Sequence, residues 1–180
     1  MKRVDRDPRD FYQTPEWCVH ALLKTLRMPT PTFDPCAGNG ALLAAVQSYH
    51  AHRCHITGVE LDSDLAERAV ELGLPVRQGD GLARDWKGEH VLMNPPFKTA
   101  LTWVQKAVDE ATSCAALVRL DFLVSMKRLP FWKKHAPSAV LLLSRRPSFK
   151  SDGSTDNSGY CWLYWGPYPS GMTALRWMAE

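Results

Sequence analysis

Thr32-Phe33-Asp34-Pro35-Cys36-Ala37-Gly38-Asn39-Gly40 runs directly into Ala41-Leu42-Leu43-Ala44-Ala45-Val46. A short apolar strand, a turn with two glycines and a run of strong helix formers make a strand–turn–helix unit. Gly38 and Gly40 let the backbone take positive φ and approach a ligand closely. The spacing is not G-x-G-x-x-G, so a dinucleotide fingerprint fits poorly. Asp34 stands at the strand end, where a carboxylate can meet an ammonium group. The next strand, His55-Ile56-Thr57-Gly58-Val59, closes on Glu60. That is where open α/β folds hold ribose hydroxyls. Val76-Arg77-Gln78 then precedes Gly79-Asp80-Gly81, a third strand whose acid can accept from an exocyclic adenine amine.

Further on, Val91-Leu92-Met93 is followed by Asn94-Pro95-Pro96-Phe97. A buried strand here is stopped by residues that cannot continue a ladder. Chemistry in open α/β folds sits at such strand ends. The side-chain carbonyl of Asn94 and the backbone carbonyl of Pro95 can both accept from one amino group. Pro96 has no N–H to compete, and Phe97 offers a flat face to a planar substrate. The competing reading is an ordinary Pro-rich turn.

Together these segments resemble the class I S-adenosylmethionine-dependent methyltransferases, in particular the adenine-N6 enzymes of bacteria and phages, some of them linked to restriction-modification. Phe11-Tyr12-Gln13-Thr14-Pro15 is similar to that family's N-terminal motif. The resemblance implies S-adenosylmethionine as cofactor. It would be held by Tyr12, Thr14, Asp34, Pro35, Cys36, Ala37, Gly38, Gly40, Glu60, Leu61, Asp80, Gly81 and Asn94. Asn94, Pro95, Pro96 and Phe97 would form the catalytic tetrapeptide. Pro35-Cys36 also matches the nucleophile dipeptide of cytosine-C5 methyltransferases, but inside the cofactor loop Cys36 reads as a small packed residue.

With 180 residues, one domain spanning 1–180 is expected, residues 1–13 being loosely ordered. A composition 45% hydrophobic and 23% charged is that of a soluble globular protein. No apolar run approaches the length of a membrane span, and Met1 to Asp7 lack a signal-peptide core, so a cytoplasmic location is expected. Five scattered cysteines suit reduced thiols. His50, His52, Cys54 and His55 match no usual zinc spacing, and no metal is expected.

The net charge of +3 is uneven: residues 119–150 carry +7, against −2 on either side. Such a block suits a polyanion. A solvated helical face is the alternative. Lys98, Lys127, Arg128, Lys133, Lys134, Arg145, Arg146 and Lys150 are the candidate nucleic-acid contacts. Phe149 is placed either to stack on a base or to plug the core under a loop.

The coarse pattern predicts strands at Thr32–Asp34, Cys54–Glu60, Pro75–Gln78, Val91–Met93, Cys114–Leu120, Ala139–Leu143 and Tyr160–Trp165. The last is expected antiparallel, near a sheet edge. Helices are predicted from Trp17 to Leu26 (Thr14 as N-cap), at Gly40–Tyr49, at Ser63–Leu72 (Ser63 as N-cap, Gly73 as C-cap) and from Thr99 to Ala111. Ser125–His135 reads as a short basic helix broken by Pro130. The alternation argues for a Rossmann-like α/β fold, a mostly parallel seven-stranded sheet with helices on both faces.

The expected function is methyl transfer to the N6 amine of adenine in nucleic acid, DNA favoured over RNA, by a monomer or homodimer. About a dozen residues separate Asp80 from Asn94, so no target-recognition domain fits between them. Relaxed sequence context, read by loops such as 121–135 and 146–159, is expected. Methylation of RNA adenine, methylation of a protein glutamine, and a non-catalytic cofactor-binding subunit remain open.

Overall fold

The 32–46 segment folds as predicted, with strand β1 (Thr32–Asp34), the glycine turn and helix α2 (Ala41–Tyr49). Around it lie α1 (Glu16–Thr25), β2 (Ile56–Glu60), α3 (Ser63–Glu71), β3 (Val76–Gln78) and β4 (His90–Met93). Then come α4 (Ala100–Glu110), β5 (Ser113–Arg119), α5 (Leu129–Lys134), β6 (Ala139–Leu143), β7 (Tyr160–Trp165) and β8 (Ala174–Met178). This computed structural model describes residues 12–26, 28–149 and 158–167, and the backbone of 174–178. Lys150 and most of the 151–159 loop lie outside the described residues. No helix among the described residues is long and apolar enough to cross a membrane.

One sheet holds all the strands, in the order β3-β2-β1-β4-β5-β7-β6-β8. The seven expected strands are present and mostly parallel, and β8 extends the sheet beyond them, parallel to β6. Strand β7 is antiparallel to both β5 and β6. It does not lie at the sheet edge, as its sequence suggests, but between those two strands. All six of its residues are buried, which needs a neighbour on each side and cover on both faces.

Alternation along β5 divides the core. Ala115 and Leu117 join the cluster beneath α1, α2 and α3, whereas Cys114, Ala116 and Val118 join the cluster beneath α4 and α5. Trp162 on β7 is fully buried, and its indole N–H donates to the Cys18 carbonyl at 3.0 Å, tying α1 to the sheet centre.

Three helix ends differ from expectation. Thr14 does not cap α1. Asp62, not Ser63, caps α3, accepting from the Asp64 and Leu65 amides at 3.0 and 3.1 Å. Its Oδ1 accepts from both orphan N–H groups, whereas Ser63 already lies inside the helix. Pro130 falls in the first turn of α5 and so opens that helix rather than breaking it. Gly73 follows the α3 C-cap with φ +76°, its amide bonding the Val70 carbonyl and that of Leu74 bonding Ala69. That pair of bonds closes the helix as a Schellman turn, which a glycine accommodates without strain.

Candidate active site

The strand order reverses between β1 and β4, which places a crevice at their carboxyl ends. The register shapes it. Asp34 is level with Gly58 on β2, so Glu60 stands two residues further out. Phe33 pairs with Val91 on β4, so Asn94 also stands two residues beyond the level of Asp34. At roughly 3.3 Å per residue, each rises about 7 Å above Asp34. Asp34 is therefore the floor of a cleft whose walls carry Glu60 and Asn94. Glu60 pairs with Gln78 on β3, so Asp80 stands two residues higher again.

Asp34 is 1% exposed. Burial, the largest influence, pushes its carboxyl up from 3.8 to about 7. The Cys36 amide, donating to Asp34 Oδ1 at 3.0 Å, opposes that rise, and nearby Glu60 adds to it. A buried carboxylate without a cation is a costly arrangement that a bound ammonium group would relieve. Glu60 Oε2 accepts from the Gly38 amide at 2.7 Å and Oε1 from the Asp62 amide at 2.9 Å. The carboxylate thereby clamps the glycine turn, where Gly38 has φ +55°, to the start of α3. Each oxygen keeps a second acceptor site for a hydroxyl. Cys36 lies beside this pair, its thiol held well above the ordinary value by burial first and then by Asp34 and Glu60. A thiol so held is not a nucleophile, as its place in the loop suggests.

The Asn94 side chain is oriented by the segment before α1. Its Nδ2 donates to the Tyr12 carbonyl at 3.1 Å and to Thr14 Oγ1 at 3.0 Å. Thr14 spends its hydroxyl here instead of capping α1. These bonds turn Oδ1 the other way, where it is buried and has no partner among the described residues. Phe97 does not present two open faces, because the Tyr12 ring stacks on it with centroids 4.8 Å apart. Phe149 packs edge-on against both rings and against Tyr160. It thus serves the core under the loop while standing beside the tetrapeptide.

A cavity of about 370 Å³ fills the cleft. Its wall includes Tyr12, Thr14, Asp34, Pro35, Cys36 and Ala37, then Gly38, Glu60, Leu61, Asn94 and Pro96. Leu61, 69% exposed, forms an apolar lip. Pro95 and Phe97 back the wall without lining it. Gly40 caps α2 with φ +81°. The structure does not bring Gly40, Asp80 or Gly81 into the lining. Asp80 is exposed and spends Oδ1 on the Leu82 amide at 2.9 Å. Gly81 is a packing point: a Cβ there would lie 1.9 Å from the Pro35 carbonyl oxygen. Trp103 and Asp62 line the cavity but escape sequence reasoning. The available signal for Trp103 was an aromatic in the first turn of the helix after the tetrapeptide.

The basic block divides. Lys98, Lys127, Arg145 and Arg146 are exposed and follow the carboxyl ends of β4, β5 and β6, the edge that carries Asn94. Arg128 is committed locally, its guanidinium 4.4 Å from the Phe122 ring centroid and donating to the Phe122 carbonyl at 2.9 Å. Lys133 and Lys134 end α5, next to His135, whose carbonyl accepts from the Trp165 indole at 3.1 Å. Trp165 pairs with Cys114 near the start of β5, so both lysines lie at the opposite edge of the sheet.

No family model and no curated protein matches the chain. Solved structures do. A structure from Listeria monocytogenes, assigned to the class I S-adenosylmethionine-dependent methyltransferases, aligns over 100% of this chain and 68% of its own, at 15% identity and TM-score 0.66. A type I restriction-modification methyltransferase subunit from Streptococcus thermophilus aligns over 88% of this chain at 15% identity and TM-score 0.65. This chain spans 45% of that subunit. An RNA methyltransferase from Salinibacter ruber, solved with S-adenosyl-L-homocysteine, aligns over 87% of this chain and 96% of its own, at 17% identity and TM-score 0.52. The chain has the Rossmann-like fold of the class I S-adenosylmethionine-dependent methyltransferases.

Proposed function

We propose that the protein transfers a methyl group from S-adenosylmethionine to the exocyclic N6 amine of adenine in DNA, in a short or relaxed sequence context. One observation carries the reading: the buried Oδ1 of Asn94, which has no partner among the described residues and is aimed by two bonds at its own Nδ2. An orphaned buried acceptor costs about 1–3 kcal/mol, recovered when an amine donates to it. An amide oriented in this way accepts; it does not abstract a proton.

The cleft suits the cofactor in kind. Asp34 would meet its ammonium group, Glu60 its ribose hydroxyls, and Leu61 with Trp103 its ring. When bound, S-adenosylmethionine supplies an electrophilic methyl group. The residues of this chain hold and align the acceptor. Asn94 Oδ1 and the Pro95 carbonyl would accept both N–H groups of the amine. That withdraws its lone pair from the ring and stabilises the positive charge developing on nitrogen. The nitrogen then sheds one proton to water, so no strong base is needed. Stacking of the base on Phe97, a contact worth about 1–3 kcal/mol per base, would require the Tyr12 ring to give way.

The basic residues on the Asn94 edge support a nucleic acid over a protein amide. Likeness to a restriction-modification methyltransferase subunit supports DNA. Likeness to an RNA methyltransferase favours a second reading, RNA adenine. Relaxed context follows from the short span between Asp80 and Asn94, occupied by one 3-10 turn, a loop and β4. The test is mass spectrometry of nucleosides from DNA and RNA pools treated with the protein and labelled cofactor. N6-methyladenine in DNA, lost in Asn94→Ala, is the expected result. No labelled base in either pool, or label retained in the variant, would refute it.

A further inference from the structure

We infer that the loop between β5 and α5 is an apolar wedge that enters the base stack of a DNA duplex and holds it open while the target adenine occupies the site. This rests on the reading of the chain as a DNA adenine methyltransferase. Val124 and Met126 are 83% and 82% exposed, the highest values among the large apolar residues described. They lie two residues apart in the connection from β5 to α5, Met126 opening a 3-10 turn.

The loop is braced. Phe122 is buried beneath it, and the Arg128 guanidinium covers that ring and bonds its carbonyl. The Val124 amide donates to the Asp121 carbonyl at 3.3 Å and the Arg128 amide to Ser125 at 3.1 Å. A loop held by its own contacts keeps two apolar tips in water without a partner to cover them.

Its position relates it to the acceptor site. Met93 on β4 pairs with Ala116 on β5, so Asn94 is level with Leu117. β5 continues to Arg119, about 7 Å further out, before the loop begins. The loop therefore leaves the sheet at the edge that carries the acceptor site, on the neighbouring strand. Its charge fits a polyanion: Lys127 is exposed beside Met126, and the acid of the loop, Asp121, is paired with Arg119. Arg146 stands exposed after β6, and Arg145, also exposed, lays its guanidinium 4.4 Å from the Trp17 ring centroid.

The chemistry explains the need. In a duplex the N6 amine is stacked and paired, and the base must swing out to reach Asn94. Apolar side chains inserted at a base step offset that unstacking by filling the gap, with cations beside them on the phosphates. A protein partner would use the apolar tips but has less use for the cationic frame.

The test is the full chain with Val124→Ser and Met126→Ser together, both changes being on exposed positions. Methyl incorporation is measured on a mixed-sequence DNA duplex and on its separated strands. We expect the duplex rate to fall about tenfold or more, as losing one such unstacking contribution implies. The single-strand rate should stay within about twofold of wild type. Unchanged duplex methylation would overturn the wedge, as would equal loss on both forms, which would assign the loop to general binding or to a protein partner. Wild-type activity confined to single strands or to RNA would also overturn it. Absence of activity on every nucleic acid would overturn the wedge and the function together, so the two failures are distinguishable.

Discussion

Replacing Asp34 by Asn should stabilise the cofactor-free protein at pH 8 and leave it unchanged near pH 4. Asp34 is buried and its folded-state pKa is raised from 3.8 to about 7. Between those values the fold retains a proton that the unfolded chain has released. The stability tied to that proton is full below pH 3.8 and is lost as pH rises through 7. At about 1.4 kcal/mol per pKa unit, the full effect is about 4 kcal/mol. Relaxation around the ionised group raises the effective dielectric, so about 2–4 kcal/mol should be measured. Asparagine keeps an oxygen for the Cys36 amide, which donates to Oδ1 at 3.0 Å, so the variant loses the charge and not the bond. Urea unfolding from pH 4 to pH 8, followed by tryptophan fluorescence, would read this as a midpoint difference of about 1–2 M that opens with pH. Taking the difference between variant and wild type cancels the other titrating groups. The same change should weaken S-adenosylmethionine binding, because the anion that would meet its ammonium group is gone. A variant-minus-wild-type difference flat across pH would refute the account of Asp34 as a buried acid awaiting a cation.

Glu60→Ala should lower S-adenosylmethionine affinity by about 1–3 kcal/mol in calorimetry, because it removes the proposed ribose acceptor and frees the Gly38 and Asp62 amides; unchanged affinity in a folded variant would remove the ribose assignment. Gly81→Ala should destabilise the protein by about 3 kcal/mol, since its Cβ meets the Pro35 carbonyl. Gly88→Ala, in open space at φ +82°, should cost only about 1–2 kcal/mol in the same denaturation assay. Charge reversal at Arg145 and Arg146 should reduce DNA affinity and lower the log–log salt slope by about 2, whereas reversal at Lys133 and Lys134 should leave both nearly unchanged. Fluorescence anisotropy across a salt series separates the two, and equal effects would contradict the division of the basic block between opposite sheet edges.

The sequence by itself determined the strand–turn–helix unit at 32–46, the α/β alternation and the strand that stops at Asn94. These are local properties: periodicity, helix-forming runs, and glycines and prolines at chain reversals are written within a dozen residues. The cleft acids Asp34 and Glu60 were legible for the same reason, since each closes a readable strand. Only the tertiary structure decided how those ends stand relative to one another. The β1–β2 and β1–β4 registers put Asp34 at the floor, and the β2–β3 register carries Asp80 out of the cavity. The antiparallel β7 was readable as a strand, but its place between β5 and β6 depends on which partners cover its two faces. The partners of Asn94 lie 82 and 80 residues away, at Tyr12 and Thr14, so no local pattern shows that its amide nitrogen is occupied and its oxygen is not. Thr14 illustrates the competition: locally a good N-cap, it gives its hydroxyl to a distant amide, because an otherwise unsatisfied buried donor costs more than an uncapped helix end.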